Sequence, residues 1–379
     1  MLSRLERSAL ANWWWTIDRS LIAALSALIV FGLVLTMAAS PPVAERLGLP
    51  TFHFVHRQAL FLVPSVAVFF AASFLSPRHV RRTALFVFAV SLGLIIAALL
   101  FGAEVKGARR WIFGIQPSEF LKPPFVVLVA WAFAEGAKRE MPGNLVAFLL
   151  LPVAIMPLIL QPDFGQTMLL SIVWVGLFFI AGLRWIWVAG LGSIGFGGML
   201  LAYKLVPHVR GRILKFIDPG TSGGVVDTFQ IDTALDSFFA GGWFGKGPGE
   251  GTVKRILPDA HTDFIFAVTG EEFGIVACLA LVAVFAFIVM RGLMSAARNE
   301  DPFCRLAAAG LIMLFGMQSA INMAVNLHLI PAKGMTLPFI SYGGSSVISL
   351  ALGMGFLAAV IRKRPRAEIV FRQREAEPV

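Results

Sequence analysis

The sequence predicts an all-α polytopic membrane protein of about ten transmembrane helices, with a large outer loop between the seventh and the eighth. Three observations predict it. Hydrophobic residues make up 58% of the 379 residues and charged residues only 14%, where a soluble domain would carry roughly 25%. Nearly uncharged apolar runs approaching or exceeding about 18 residues recur along the chain. The basic residues divide unevenly between alternate connections, as charge-set topology requires. A soluble enzyme on a single anchor is excluded. The net charge of +10 then reports orientation and is no argument for nucleic acid.

The N-terminal segment, 1–19, carries Arg4, Arg7 and Arg19 before the first apolar run. Ala38 and Ser40 resemble a signal-peptide cleavage site, but Leu21 to Ala39 is longer than an h-region of roughly 7–15 residues. An uncleaved first helix is expected, with Trp13, Trp14 and Trp15 as its interfacial anchor. The ten segments are about 20–40, 57–75, 83–103, 119–135, 144–160, 166–182, 185–203, 263–290, 305–327 and 342–361. They form one membrane domain, 20–362, followed by a charged tail, 363–379. With both termini inside, inner segments hold 18 basic residues and outer segments 14, seven of them in the loop 204–262. Without that loop the ratio is 18 to 7, which supports cytoplasmic termini. Cys278 falls in a predicted helix and Cys304 in a loop, offering no disulfide framework or metal cluster.

The loop 204–262 is too long for an idle connection. Ile231, Leu235, Phe238 and Phe239 repeat at helical spacing opposite Asp232, Thr233 and Asp236, predicting an amphipathic helix on the outer surface. Gly-rich AGGWFGKGPGEG, Ala240 to Gly251, follows. Its glycine density implies tight turns or close backbone approach, and it lacks the Gly-Lys-Ser/Thr of a P-loop.

The outer connections gather the chemistry. They hold KGARRWIFGIQPSEFLK (Lys106 to Lys122), QPDFG (Gln161 to Gly165), LPDAHTDFIFAV (Leu257 to Val268) and LIPAKGMTLPFISYGGSS (Leu329 to Ser346). Arg57, Lys106, Arg109, Arg110, Glu119, Lys122, Asp163, Asp259, His261, Asp263 and Lys333 thus share one face. Each has a plain structural explanation. Arg57 and Lys122 can snorkel, Glu119 and Lys122 can pair at i, i+3, and Asp163 can serve a turn. Thr262 or Asp263 can cap the eighth helix. Together they point to more. Basic residues in short outer loops run against the topology rule, and a phosphate-bearing ligand explains them. Carboxylates among them suggest proton transfer or metal binding.

Within the membrane, Glu271 and Glu272 lie about 12 Å below Asp263 at 1.5 Å per residue. They are either functional or paired within the bundle. Gln318, Asn322 and Asn326 form a polar stripe best explained by interhelical hydrogen bonds. Ser345, Ser349 and Gly353 form a small-residue stripe suited to close packing.

The motifs KGARRWI, QPSEFLK, QPDFG, GGWFGKGPGEG, LPDAHTDFIFAV with GEEFG, and PFISYGGSS occur in the same order in the SEDS family (shape, elongation, division and sporulation), which this chain resembles between about residues 57 and 350. GGWFGKGPGEG and the Glu pair look more like its division branch than its elongation branch. The resemblance implies a ten-helix peptidoglycan glycosyltransferase that polymerises lipid II on the periplasmic face of the inner membrane, at the division septum. It implies a class B penicillin-binding protein transpeptidase as partner, among other divisome membrane proteins. Residue by residue, Asp263 matches the family's catalytic aspartate. Arg57, Lys106, Arg110, Glu119, Lys122 and Asp163 match its cavity residues, and His261 is a weaker candidate beside them. A divalent cation, Mg or Mn, is a candidate cofactor at the pyrophosphate. One departure is His56 before Arg57, where Lys is commoner. Two rival functions remain at this stage: a lipid II flippase lined by Glu271, Asn322 and Asn326, and a scaffold without chemistry.

Overall fold

A bilayer offers no water to an unpaired peptide group, so helices are the economical way across. The structure is a computed structural model, and it describes residues 8–105, 108–138, 142–182, 185–205, 210–211, 225–331 and 334–363. The chain opens with α1 (Ala9–Thr16), α2 (Arg19–Ala39), α3 (Pro41–Arg46), α4 (His53–Phe74) and α5 (Pro77–Phe101). A two-stranded antiparallel hairpin follows, β1 (Ala103–Val105) and β2 (Ala108–Trp111). Next come α6 (Pro117–Lys138), α7 (Gly143–Leu160), α8 (Phe164–Ile180) and α9 (Trp185–Leu205). Last are α10 (Val225–Gly241), α11 (Ile265–Ala297), α12 (Pro302–Asn326) and α13 (Gly344–Ile361).

Each of the ten predicted apolar segments coincides with a helix. Among the described residues, eight are long and apolar enough to cross a membrane, and α8 is shorter at 17 residues. The hub is α6, α12 and α13, buried over most of their length. α4 and α5 lie against this hub, and α11 packs on α12 and α2. The outer helices turn much of their apolar surface outward, as lipid contact permits. Small residues let the hub close up. Ser349 Oγ donates to the Glu119 carbonyl at 2.6 Å, and a Cβ on Gly353 would lie 3.3 Å from Pro123. The expected small-residue stripe is therefore a packing seam, sealed by a hydrogen bond. α1 is held by Trp13, whose Nε1 donates to Ser73 Oγ at 2.9 Å. Trp14 and Trp15 stay exposed beneath the Arg19 guanidinium, as an interfacial anchor should.

Several expectations change. The eighth helix begins at Ile265, two residues after Asp263, and Phe264 at its N-cap gives no side-chain bond. Neither Thr262 nor Asp263 caps it. Cys304 lies buried in the first turn of α12, not in a loop. In α10 the buried face is Thr233, Ala234 and Ser237, while Leu235 is half-buried and Phe239 is exposed. The small side chains allow close approach to α11, and Phe238 alone of the described apolar set turns inward, onto Phe266 at 5.6 Å between centroids.

α11 is two helices joined at Gly274, whose φ of 78° breaks the ladder. The glycine-rich loop fills the break. Lys246 N donates to the Glu271 carbonyl and Gly247 N to that of Glu272, each at 3.0 Å. Across the break, Ile275 N donates to the Gly242 carbonyl and Val276 N to that of Trp243. Groups orphaned by the kink thus pair with loop backbone, and only glycine fits. A Cβ on Gly274 would sit 2.3 Å from the Trp243 oxygen, and one on Gly245 2.2 Å from the Glu272 oxygen.

Glu271 and Glu272 complete this joint. Glu271 accepts from the N–H groups of Thr252, Val253 and Lys254 at 2.6–2.9 Å, at the start of a 3₁₀ turn. Glu272 accepts from Gly249 N and pairs with the buried Lys254 ammonium, which also donates to the Ala38 carbonyl. Both carboxylates are fully buried in protein and fully engaged. Of the two expectations for them, pairing holds.

Candidate active site

LPDAHTDF folds as consecutive turns pinned from every side. Arg46 Nη2 donates to the Leu257 carbonyl at 2.9 Å. Asp259 takes φ 52°, a left-handed value its short polar side chain tolerates. Its carbonyl then accepts from the N–H groups of Thr262 and Asp263, both at 3.1 Å. The His261 ring lies 4.3 Å from Phe54 and 5.4 Å from Tyr342, centroid to centroid, and its carbonyl accepts from Tyr342 N. The Asp263 carbonyl accepts from Nδ2 of both Asn322 and Asn326 at 2.9 Å. Asn326 Oδ1 accepts from Ala267 N at 3.1 Å, in the first turn of α11. The loop is clamped by main chain while the Asp263 side chain stays half-buried at the surface, beside Gly334.

A second group gathers at the outer end of α6. Lys122, 2% exposed, places Nζ 2.8 Å from Glu119 and donates to Gln318 Oε1 at 2.9 Å. Glu119 accepts from Gln166 Nε2 at 2.8 Å. Gln166 N in turn donates to Asp163, the N-cap of α8. Arg110 of β2 reaches this cap. It donates to the carbonyls of Gln161 at 3.0 Å and Pro162 at 2.6 Å, with Nη1 3.9 Å from Asp163 Oδ2. Hairpin, α6 and α8 are thereby tied into one charged network.

One helix face joins the two groups. Gln318 holds Lys122 and also donates to the Thr336 carbonyl at 3.1 Å. One turn on, Asn322 donates to the carbonyls of Asp263 and Met335. The stripe is hydrogen-bonded as expected, but several of its partners are main-chain atoms of the outer loops.

Burial sets the electrostatics. It pushes the His261 imidazole down to about 4, against the pull of Asp259 and with help from Arg46. His261 is therefore neutral at neutral pH. Burial pushes the Asp163 carboxyl up, while Arg110 draws it back and Glu119 raises it further. Burial likewise raises Tyr342, with Arg57 opposing.

Residues 18–366 match the cell cycle protein family FTSW_RODA_SPOVE. The chain belongs to this family, the SEDS proteins. It is 46% identical over 371 residues to a probable peptidoglycan glycosyltransferase FtsW of Caulobacter vibrioides, covering 96% of this chain and 94% of that one. To a probable peptidoglycan glycosyltransferase FtsW of Geobacter sulfurreducens it is 35% identical over 342 residues, covering 87% and 91%. Two solved structures share the fold. One, from a peptidoglycan synthase complex that coordinates polymerization and crosslinking, has a TM-score of 0.77 at 27% identity, covering 91% and 97%. The other, the rod shape determining protein RodA of Thermus thermophilus, has a TM-score of 0.68 at 26% identity, covering 93% and 99%.

In this SEDS protein Arg110, Glu119, Lys122 and Asp163 form the connected network, while Asp263 and His261 share the clamped loop. Arg57 is exposed near Tyr342, its guanidinium 5.9 Å from the Phe61 ring, and it makes no ion pair among the described residues. Lys106 and Lys333 lie outside the described residues. Sequence reasoning missed Gln166 and Gln318 as members of the charged network, and Arg46 and Tyr342 as supports of the loop. A polar residue recurring at the outer end of successive helices is the signal that finds the glutamines.

The described residues form no protein cage for a divalent cation, although one held at a pyrophosphate would need only one or two carboxylates. No three His, Cys, Asp or Glu side chains converge among the described residues, and Glu119 and Asp163 face Lys122 and Arg110. No step is assigned to a metal.

Proposed function

We propose that this protein is a peptidoglycan glycosyltransferase of cell division that polymerises lipid II at the periplasmic membrane face, with Asp263 as general base. The observation that carries the reading is the clamp on Asp263. Two asparagines of α12 fix its main chain, and the same helix face holds Lys122 through Gln318. A base needs a fixed carboxylate within reach of its proton. A pyrophosphate leaving group needs fixed cations.

The chemistry follows. The 4-hydroxyl of the incoming lipid II sugar attacks the anomeric carbon of the growing strand. The new O4–C1 bond forms as the bond from C1 to the pyrophosphate oxygen breaks. Asp263 takes the hydroxyl proton, and the bonding pair leaves on undecaprenyl pyrophosphate. Lys122, Arg110, Arg57 and Lys106 supply positive charge for that leaving group, which needs no proton. A single displacement inverts an α-linked donor to a β-linked product and forms no covalent enzyme intermediate, by analogy with inverting glycosidases. His261, neutral and wedged between rings, positions the loop.

The flippase reading loses its support. Glu271, Asn322 and Asn326 are buried and hydrogen-bonded within the protein, so they offer no lining for a path. A class B penicillin-binding protein is the proposed partner, since this fold is found in a synthase complex that joins polymerization to crosslinking. The protein is multi-pass, and the charge ratio supports a topology with both termini in the cytoplasm. The test is labelled lipid II given to the purified protein, with and without its transpeptidase partner. Glycan polymer supports the reading. Translocation in vesicles without polymer would favour the flippase.

A further inference from the structure

The membrane face opposite the candidate site has its own built feature. A cavity of about 960 Å³ opens between the start of α2, the end of α11, the start of α12 and the end of α13. Its charge is unbalanced. Five basic and three acidic residues line it. The three carboxylates are already engaged. Asp18 holds Arg291 at 2.8 Å, and Asp301 caps α12 through the N–H groups of Phe303 and Cys304. Arg298, Arg362 and Lys363 make no ion pair among the described residues. Among the described residues, Arg362 donates only to the Ser73 carbonyl, at 3.5 Å, and its buried Nε has no partner.

Basic residues on an inner face ordinarily serve topology alone. These differ in being gathered from separate helices around one concavity. The cavity also lies at headgroup depth, since Trp15, an exposed interfacial residue, forms part of its wall. Basic pockets between helix ends at this level suit lipid phosphate. The chain's own tail is a poor occupant, because 364–379 holds four Arg and three Glu and is itself basic.

We propose that this cavity binds the headgroup phosphate of an anionic phospholipid in the facing leaflet. The ligand spans two environments: phosphate against Arg298, Arg362 and Lys363, and acyl chains along the exposed flanks of α11.

The test is native mass spectrometry and thermal unfolding of the full-length protein in detergent. Phosphatidylglycerol, phosphatidylcholine and inorganic phosphate are added separately. Selective retention of phosphatidylglycerol is expected, with a raised unfolding midpoint. Arg298→Gln/Arg362→Gln/Lys363→Gln should weaken it roughly 100-fold, at about 1 kcal/mol per basic residue. The double variant Arg298→Lys/Arg362→Lys, with Lys363 kept, should restore most of it and shows that the fold survives. Arg82→Gln, an exposed basic residue outside the cavity, should change nothing. Equal loss in Arg82→Gln, or unchanged binding in the triple variant, would overturn the proposal. Full competition by inorganic phosphate would make it a free-phosphate site and overturn the lipid assignment.

Discussion

Asn322 donates from a single Nδ2 to two main-chain carbonyls, 2.9 Å to Asp263 and 2.6 Å to Met335. A residue of a membrane-spanning helix therefore sets where two outer loops meet. It fixes the backbone of Asp263, the residue proposed as the base.

Asn322→Leu removes that donor, strips the Met335 carbonyl of its partner and leaves the Asp263 carbonyl to Asn326. The cost to stability should be about 1–3 kcal/mol. Activity should fall further, roughly 100-fold, because a small misplacement of the base is expensive. Polymerisation of labelled lipid II and thermal unfolding, measured on the same preparation, check both. Adding Asn326→Leu should cost more than its single effect, since it removes the last donor to the Asp263 carbonyl.

Lys122 and Glu119 are a buried pair, and a buried pair fails asymmetrically. Lys122→Met strands Glu119 and should cost about 3–5 kcal/mol. Lys122→Met/Glu119→Gln should recover part of the unfolding midpoint while remaining inactive as a polymerase. A double variant no more stable than the single one would show that the pair is not electrostatically coupled.

His261 links the loop to pH. Its folded value of about 4 lies below the ordinary 6.5, so the unfolded chain binds the proton more tightly. The stability it contributes is complete above about pH 6.5 and is lost as pH falls from there toward about 4. The loss should reach at most about 3 kcal/mol. His261→Gln should flatten the dependence of the unfolding midpoint between pH 6.5 and 4, whereas an unchanged slope would assign it to other groups.

Gly274→Ala tests the spliced helix. A methyl there meets the Trp243 oxygen at 2.3 Å and must hold φ 78°. The loop must leave the break, uncovering the Glu271 and Glu272 carbonyls, at a cost of several kcal/mol. Limited proteolysis near 242–256 should accelerate sharply. Glu271→Gln, which keeps the shape and loses the charge, should be milder.

The helices were legible because a bilayer demands long apolar runs, and each run left its mark in the sequence. The outward grouping of Arg110, Glu119, Lys122 and Asp163 was legible from topology and motif together. What stayed hidden was backbone. Asp263 looked like a helix cap, since an acidic residue before an apolar run normally is one. Here the Asp259 carbonyl organises the turn, and the helix starts two residues later. Glu271 and Glu272 looked like intramembrane carboxylates, because a kink at one glycine leaves no periodic signature. Besides the Lys254 ammonium, their partners are N–H groups of residues 249 and 252–254, and no side-chain pattern announces those. The asparagine stripe pointed to hydrogen bonds across helices, but nothing in it named a loop carbonyl as the acceptor.

The most direct measurement is polymerisation of labelled lipid II by Asp263→Asn in the presence of the transpeptidase partner, on protein whose unfolding midpoint and lipid II binding match the parent. Asn keeps the size and the surrounding main-chain bonds and removes the base. The account predicts a fall of at least about 100-fold in polymer formed, with binding unchanged; polymer at the parental rate would contradict it.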